Sequence, residues 1–318
     1  MDILVAGGAG FIGSHACRAL LARNHRVTCV DNLSTGSLAN VLDLEANPGF
    51  TFLRCDVAEV PRLSVDRILH LASPASPVDY DRLPLETMAA NSIGTWRLLE
   101  LAAETGAGMT FVSTSEAYGD PLVHPQPETY WGNVDPVGPR SCYDESKRFG
   151  EALLFAMRRT AGVRANVVRV FNTYGPHMRA NDGRVIPEMV NAALGGRPLV
   201  IHGDGLQTRS FCYVSDLVAG LLNVVVDPEL DGEIFNLGNP EEITVRALAE
   251  EVRRITSSPS VLVFEQARPG DPSRRCPDIA KIQRRYAWRP EVTLKAGLRT
   301  TVDWFQARDV RSEETLTA

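Results

Sequence analysis

Met1-Asp-Ile-Leu-Val-Ala-Gly-Gly-Ala-Gly-Phe-Ile-Gly13 opens the chain, and its reading decides the fold. A short apolar strand, residues 1–6, runs without a spacer into glycines at 7, 10 and 13, and a helical pattern of Ala16, Leu20 and Leu21 follows. Gly7, Gly10 and Gly13 leave room for a tight turn, for a pyrophosphate lying on bare backbone, and for close contact between helix and strand. Phe11 and Ile12 complete a cradle at the helix N-terminus, where free N–H groups and the dipole favour negative charge.

The next strand, residues 26–30, ends in Asp31-Asn32. A carboxylate at this place accepts both hydroxyls of a ribose and repels a 2′-phosphate, so NAD is the cofactor expected rather than NADP. A third strand, residues 51–54, leads into Asp56 and Val57, which are candidates for contact with the adenine. A fourth, residues 66–71, ends at Leu71-Ala72 in a proline-interrupted loop on the side where open α/β sheets bind their ligands. One long helical pattern through Met88, Ile93, Trp96, Leu99 and Leu101 then returns to a strand at 109–112. Sustained βαβ alternation of this kind predicts a Rossmann-type, doubly wound parallel sheet.

Bulk composition sets the limits. The 318 residues are 44% hydrophobic and carry 39 acidic against 33 basic side chains, a net charge of -6. That balance gives no support to nucleic-acid or membrane-surface binding. No apolar run approaches the ~20 residues that span a bilayer. The cysteines at 17, 29, 55, 142, 212 and 276 form no CxxC pair. They read as small core residues in a reducing cytoplasm, and no metal site is expected. Only three lysines occur, which makes Lys147 stand out.

Two stretches carry chemistry. Ser113-Thr-Ser-Glu-Ala-Tyr-Gly119 puts a hydroxyl triplet and a carboxylate at the mouth of a buried strand, where a free carboxylate is costly unless something uses it. Tyr143 and Lys147, four apart on a helix spanning 141–160, share a face. An ammonium beside a phenol is expected to pull the tyrosine from about 10 towards neutrality and make it a usable acid and base.

Together these features resemble the extended short-chain dehydrogenase/reductase family, although Gly7-Gly8 replaces the usual Thr-Gly opening. Within that family the resemblance is closest to the UDP-glucuronate decarboxylases. It rests on LASPASPVDY (71–80), STSEAYGDPLVHPQPETYWGNVDPVGPRSCYDESKR (113–148), FNTYGPHMRANDGRV (171–185), QTRSFCYVSDLV (207–218) and RRCPDI (274–279), and it covers nearly the whole chain.

The resemblance implies NAD-dependent decarboxylation of UDP-glucuronate to UDP-xylose through a 4-keto sugar, with NAD regenerated. Thr114, Glu116, Tyr143, Lys147 and Arg275 would be catalytic. Ser115, Asn172, Arg184, Val185, Gln207, Arg209 and again Arg275 would hold a UDP-sugar. Dehydratases of the family carry an aspartic acid where Ser115 stands, and its epimerases usually lack Glu116. A 4-epimerase, a 4,6-dehydratase and a decarboxylase releasing the 4-keto sugar are the alternatives within the fold, and a non-catalytic dinucleotide sensor lies outside them.

The implied organisation is an NAD-binding domain, 1–170 with a returning segment near 212–240, and a smaller nucleotide-sugar lobe, 171–211 and 241–318. A homodimer pairing helices near 88–104 and 141–160 is also implied. The chain departs from the family pattern at His177 and Arg179, which are exchanged in order, at Ser146 in place of glycine, and at Ser273 in place of arginine.

Overall fold

The computed structural model describes residues 1–229, 231–267 and 274–316, with side chains to 307. Six sheet strands appear in chain order: β1 (Asp2–Ala6), β2 (Arg26–Asp31), β3 (Phe50–Arg54), β4 (Arg67–His70), β5 (Gly108–Thr114) and β6 (Ala165–Val170). A seventh, Ile234–Leu237, pairs with the outer edge of β6. The sheet order is Ile234–Leu237, β6, β5, β4, β1, β2, β3. Every pairing is parallel. The order reverses beside β1, which opens a crevice at the strand carboxyl ends. This is the doubly wound Rossmann-type sheet that the alternation predicts.

The strands are apolar because both faces are covered. On one side α1 (Phe11–Ala22) and the helix Val214–Val226 bury Cys17, Leu20, Leu217 and Leu221 against Ile3 and Val5. On the other, the helices Thr95–Thr105 and Ser141–Ala161 bury Leu98, Leu99 and Leu154 against Leu4, Ile68 and Phe111. A third core, away from the sheet, joins Ile186, Val190, Ile201, Leu248, Leu298 and Phe305.

The long helix read through residues 88–101 is interrupted. A helix Pro84–Ala89 passes through a π-type turn, Ala90–Gly94, into Thr95–Thr105. Gly94 permits this close passage, since a Cβ there would lie 2.4 Å from Val57 Cγ1. Met88, Ile93 and Trp96 face outward rather than into the core. No helix among the described residues is long and apolar enough to cross a membrane. All six cysteines are free; Cys17, Cys29, Cys212 and Cys276 are buried, whereas Cys55 and Cys142 are only partly so. Ser273 lies outside the described residues.

Candidate active site

A cavity of about 1050 Å³ lies along the strand carboxyl ends and continues beneath the third core. That exceeds the usual ~300–1,000 Å³ of a single-ligand pocket, so two ligands placed end to end fit its size.

One end is shaped for a dinucleotide. Gly7 has φ +80°, and a Cβ on it would meet the Ala72 backbone nitrogen at 2.6 Å; a Cβ on Gly13 would meet Gly7 O at 2.1 Å. Gly10 is the N-cap of α1 without a side-chain cap, and the first turn has no acidic residue. The helix therefore presents bare N–H groups to the cavity. Asp31 takes Ala9 N at 3.0 Å and Leu33 N at 2.8 Å. Those bonds fix its carboxylate, although burial still pushes its pKa up. Asn32 Nδ2 donates to Asp56 Oδ2 at 2.7 Å, and Asp56 Oδ1 accepts from Ala58 N at 2.9 Å. Phe11, Ile12, Val57, Leu71 and Ala72 complete this wall. A bare-backbone cradle with a fixed carboxylate at the end of the adjacent strand matches a diphosphate and a ribose, so these residues fit NAD.

At the middle of the cavity, the strand-end triplet divides its work. Ser113 Oγ donates to Glu151 Oε1 at 2.6 Å, and Glu151 in turn takes a fork from Arg169 at 2.9 and 2.7 Å. Ser113 thus lines the cavity with its hydroxyl tied to Glu151. Thr114 accepts from Glu116 N at 3.2 Å and hydrogen-bonds the Tyr143 phenol. Ser115 is buried and lines the cavity.

Tyr143 and Lys147 both reach the cavity, from the helix Ser141–Ala161. Their charge states differ from the sequence expectation. Burial drives Tyr143 up to about 12, against the pull of Thr114. Burial also drives Lys147 down to about 7. The Lys147 ammonium donates to Val112 O at 2.8 Å and stands 5.9 Å from the Tyr143 ring centre. At that range, in a desolvated site, the lysine does not offset the cost of burying a phenolate.

Glu116 is the most constrained carboxylate here. Arg275 and Arg140 both pair with it, one on each oxygen. Burial raises its pKa, but the two guanidiniums overcome that and hold it below the usual carboxylate range. Arg275 also donates to Gly119 O at 3.2 Å and is buried. Sequence reading missed Arg140, three residues before Tyr143, because nothing in a linear motif reports an ion pair across a loop. It also missed Tyr80, stacked on Tyr143 with ring centres 5.4 Å apart and planes 13° apart. Asp144 was missed as well: it is buried, pushed up to about 7, and leaves Oδ1 without a hydrogen-bond partner.

The far end carries Asn172, Arg184, Val185, Gln207 and Arg209 on the cavity wall. Arg184 faces Asp182 at 2.6 Å, Gln207 Nε2 donates to His202 O at 2.7 Å, and Arg209 donates to Thr208 O at 2.8 Å. The exchanged pair also lines the cavity: His177 contacts Ser14 Oγ at 3.1 Å, and Arg179 pairs with Asp79. Ser146 Oγ donates to Tyr143 O at 3.0 Å and accepts from Asn91 Nδ2 at 3.1 Å, using its hydroxyl where a glycine has none.

Among the described residues, one group of metal-ligand type gathers, His124, Glu242 and Cys276, within 4.8 Å. His124 and Glu242 pair with each other at 3.0 Å, and the Cys276 thiol, pushed up to about 11 by burial, donates to Pro240 O at 3.3 Å.

Residues 3–238 match the NAD dependent epimerase/dehydratase family. UDP-glucuronic acid decarboxylase 1 of Arabidopsis thaliana is 46% identical over 99% of this chain and 72% of its own length. The Danio rerio protein of the same name is 45% identical over 95% and 72%. Among solved structures, dTDP-glucose 4,6-dehydratase from Streptomyces venezuelae, with NAD bound, superposes with a TM-score of 0.88 at 30% identity, covering 98% of each chain. UDP-glucuronic acid 4-epimerase from Bacillus cereus, in complex with UDP-glucuronic acid and NAD, gives 0.88 at 27% identity over 97% of this chain and 100% of that one. A glycine cradle, a fixed Asp31, a Tyr/Lys pair and relatives of this similarity agree: the chain belongs to the NAD dependent epimerase/dehydratase family and, within it, to the group of the UDP-glucuronic acid decarboxylases.

Proposed function

We propose that the protein decarboxylates UDP-glucuronate to UDP-xylose by oxidation, loss of carbon dioxide and reduction. The observation that carries this reading is Glu116 held ionised between Arg140 and Arg275, beside Tyr143 and Ser115. A dehydratase needs an acid at the place of Ser115, and a serine hydroxyl is too weak for that. NAD, held by the glycine cradle and Asp31, would when bound supply the oxidising equivalent at carbon 4, with Tyr143 as the base for the hydroxyl proton.

Tyr143 takes the proton of the carbon-4 hydroxyl, guided by Thr114, and later donates to the ketone oxygen. The ketone makes the sugar a β-keto acid, so the bond from carbon 5 to the carboxyl carbon breaks with its electrons drawn towards oxygen. Arg275 and Arg140 supply positive charge for the departing carboxylate and then for the enolate. Glu116, fixed by both, orients carbon 5 or a water beside it. Arg184, Gln207, Arg209 and Asn172 hold the uridine diphosphate, where forked donors suit phosphate oxygens. The third core, with 171–211 and 241–318, serves as the lobe that brings these groups to the NAD-binding part.

The working unit is a homodimer located in the cytoplasm. Leu85, Ile93 and Phe149 are 75%, 60% and 50% exposed, and Met88 and Trp96 lie with them on the paired helices. An apolar face of this kind suits a second copy. Six free thiols suit a reducing compartment.

Carboxyl-labelled UDP-glucuronate tests the reaction. Labelled carbon dioxide released in step with UDP-xylose supports it; epimerised UDP-glucuronate with the label retained would assign the protein to the 4-epimerases.

A further inference from the structure

Decarboxylation consumes a proton. The carbon-5 to carboxyl bond breaks, carbon dioxide leaves, and the electron pair left behind is captured by a proton at carbon 5. Glu116 is a poor store for that proton, since Arg275 and Arg140 hold it ionised. The carboxyl group behind it is in the opposite condition. Asp144 follows Tyr143 on the helix, is buried, and has Oδ1 with no hydrogen-bond partner. An ionised oxygen left so would be costly, whereas a neutral acid tolerates it far better.

The charges around Asp144 are few. Glu116 faces it from the end of β5, Arg275 from the late segment, and Arg140 and Glu145 from its own helix and the approach to it. Tyr143, Cys142 and Tyr80 are the remaining titratable neighbours. Glu116 and Asp144 balance Arg140 and Arg275, so with both acids ionised this inner set is neutral. A substrate carboxylate entering it adds one negative charge beyond what Arg140 and Arg275 balance. Two groups of the site stand near their titration points, Asp144, which burial and Glu116 raise to about 7, and Lys147, which burial lowers to about 7; of the two, Lys147 is already bonded to Val112 O, whereas Asp144 has an oxygen without a hydrogen-bond partner.

We infer that Asp144 takes up one proton when a carboxylated nucleotide sugar binds, and that this proton is returned through the Glu116 cluster to carbon 5 after carbon dioxide leaves. The inference rests on the decarboxylase reading and deepens it. Asp144 does not line the cavity, so it is a positioning residue that acts through Glu116. Atoms balance: the bound proton becomes the carbon-5 hydrogen, and the acid is left ionised for the next substrate.

The test is calorimetry on the NAD-loaded Tyr143→Phe enzyme, which binds without turning over, in buffers of different ionisation enthalpy. UDP-glucuronate should bring in about one proton per site near pH 8 and about half that near pH 7, with none for UDP-glucose. Adding Asp144→Asn should abolish the uptake while UDP-glucuronate still binds, and Asp144→Glu should restore it. In the otherwise native enzyme, Asp144→Asn should lower kcat about 100-fold with KM little changed, and should remove the limb of the kcat profile near neutrality. Uptake that survives Asp144→Asn, or binding with no uptake in the parent, overturns the inference and leaves the decarboxylase reading standing. If UDP-glucose binds and UDP-glucuronate does not, both fall.

Discussion

Glu116 and Arg275 meet across 159 positions of sequence, and Arg140 closes on the other oxygen of the same carboxylate. The site is therefore assembled by the fold: the turn Ser115–Tyr118 after β5 delivers the acid, the approach to the Ser141–Ala161 helix one guanidinium, and the late segment the other. Arg275 is buried and Arg140 half-buried, so removing either leaves the Glu116 carboxylate without one of its two balancing charges.

Arg140→Gln should lower kcat/KM for UDP-glucuronate about 100-fold while binding of UDP alone changes little, because the proposed reading seats uridine diphosphate at the other end. Steady-state kinetics beside calorimetry with UDP separates the two. Equal loss of UDP binding would mean that Arg140 shapes the whole cavity.

Ser115→Asp puts a second carboxylate where the proposed reading seats the substrate's own. KM should rise at least about 10-fold, whereas Ser115→Ala should cost less, having lost only a hydroxyl. An unchanged KM in the aspartate variant would place the substrate carboxylate elsewhere.

Gly13→Ala forces a Cβ to within 2.1 Å of Gly7 O. The purified variant should retain less than about a tenth of the NAD carried by the parent, measured by absorbance after denaturation. Full retention would contradict the cradle.

Lys147 gives a stability prediction with a definite sign. Its folded pKa, about 7, lies below the ordinary value near 10.5. Between those values the unfolded chain binds more protons, so stability from this group rises with pH; it is present above the unfolded value and lost as pH falls through about 7. Lys147→Met removes the burden of a buried ammonium. The variant's Tm advantage over the parent, both without NAD, should be largest near pH 7 and shrink towards pH 10. An advantage that grows with pH would show that the lysine is not buried as a cation.

The sheet was legible because parallel strands covered on both faces are continuous apolar runs, and the turn after β1 because only glycines fit it. The helix break at Ala90–Gly94 was not, since it depends on Val57 pressing against Gly94, a contact between distant segments. The outward set of Met88, Ile93 and Trp96 misled for a related reason: apolar periodicity marks a face to be covered without saying whether the cover is the same chain. At the site, residue types at strand ends and on the helix were readable. Arg140, Tyr80 and Asp144 were not, because their importance lies in pairing and burial. The rise of Tyr143 to about 12 has the same origin, for burial outweighs a neighbouring charge that a linear motif suggests is decisive.

Incubating the protein with UDP-glucuronate and catalytic NAD, while following the sugar by NMR and the cofactor at 340 nm, decides whether the cycle of oxidation, decarboxylation and reduction closes. UDP-xylose formed over many turnovers with no accumulating NADH is the predicted result. Intact UDP-glucuronate, or a 4-keto sugar released with one NADH for each, would contradict it.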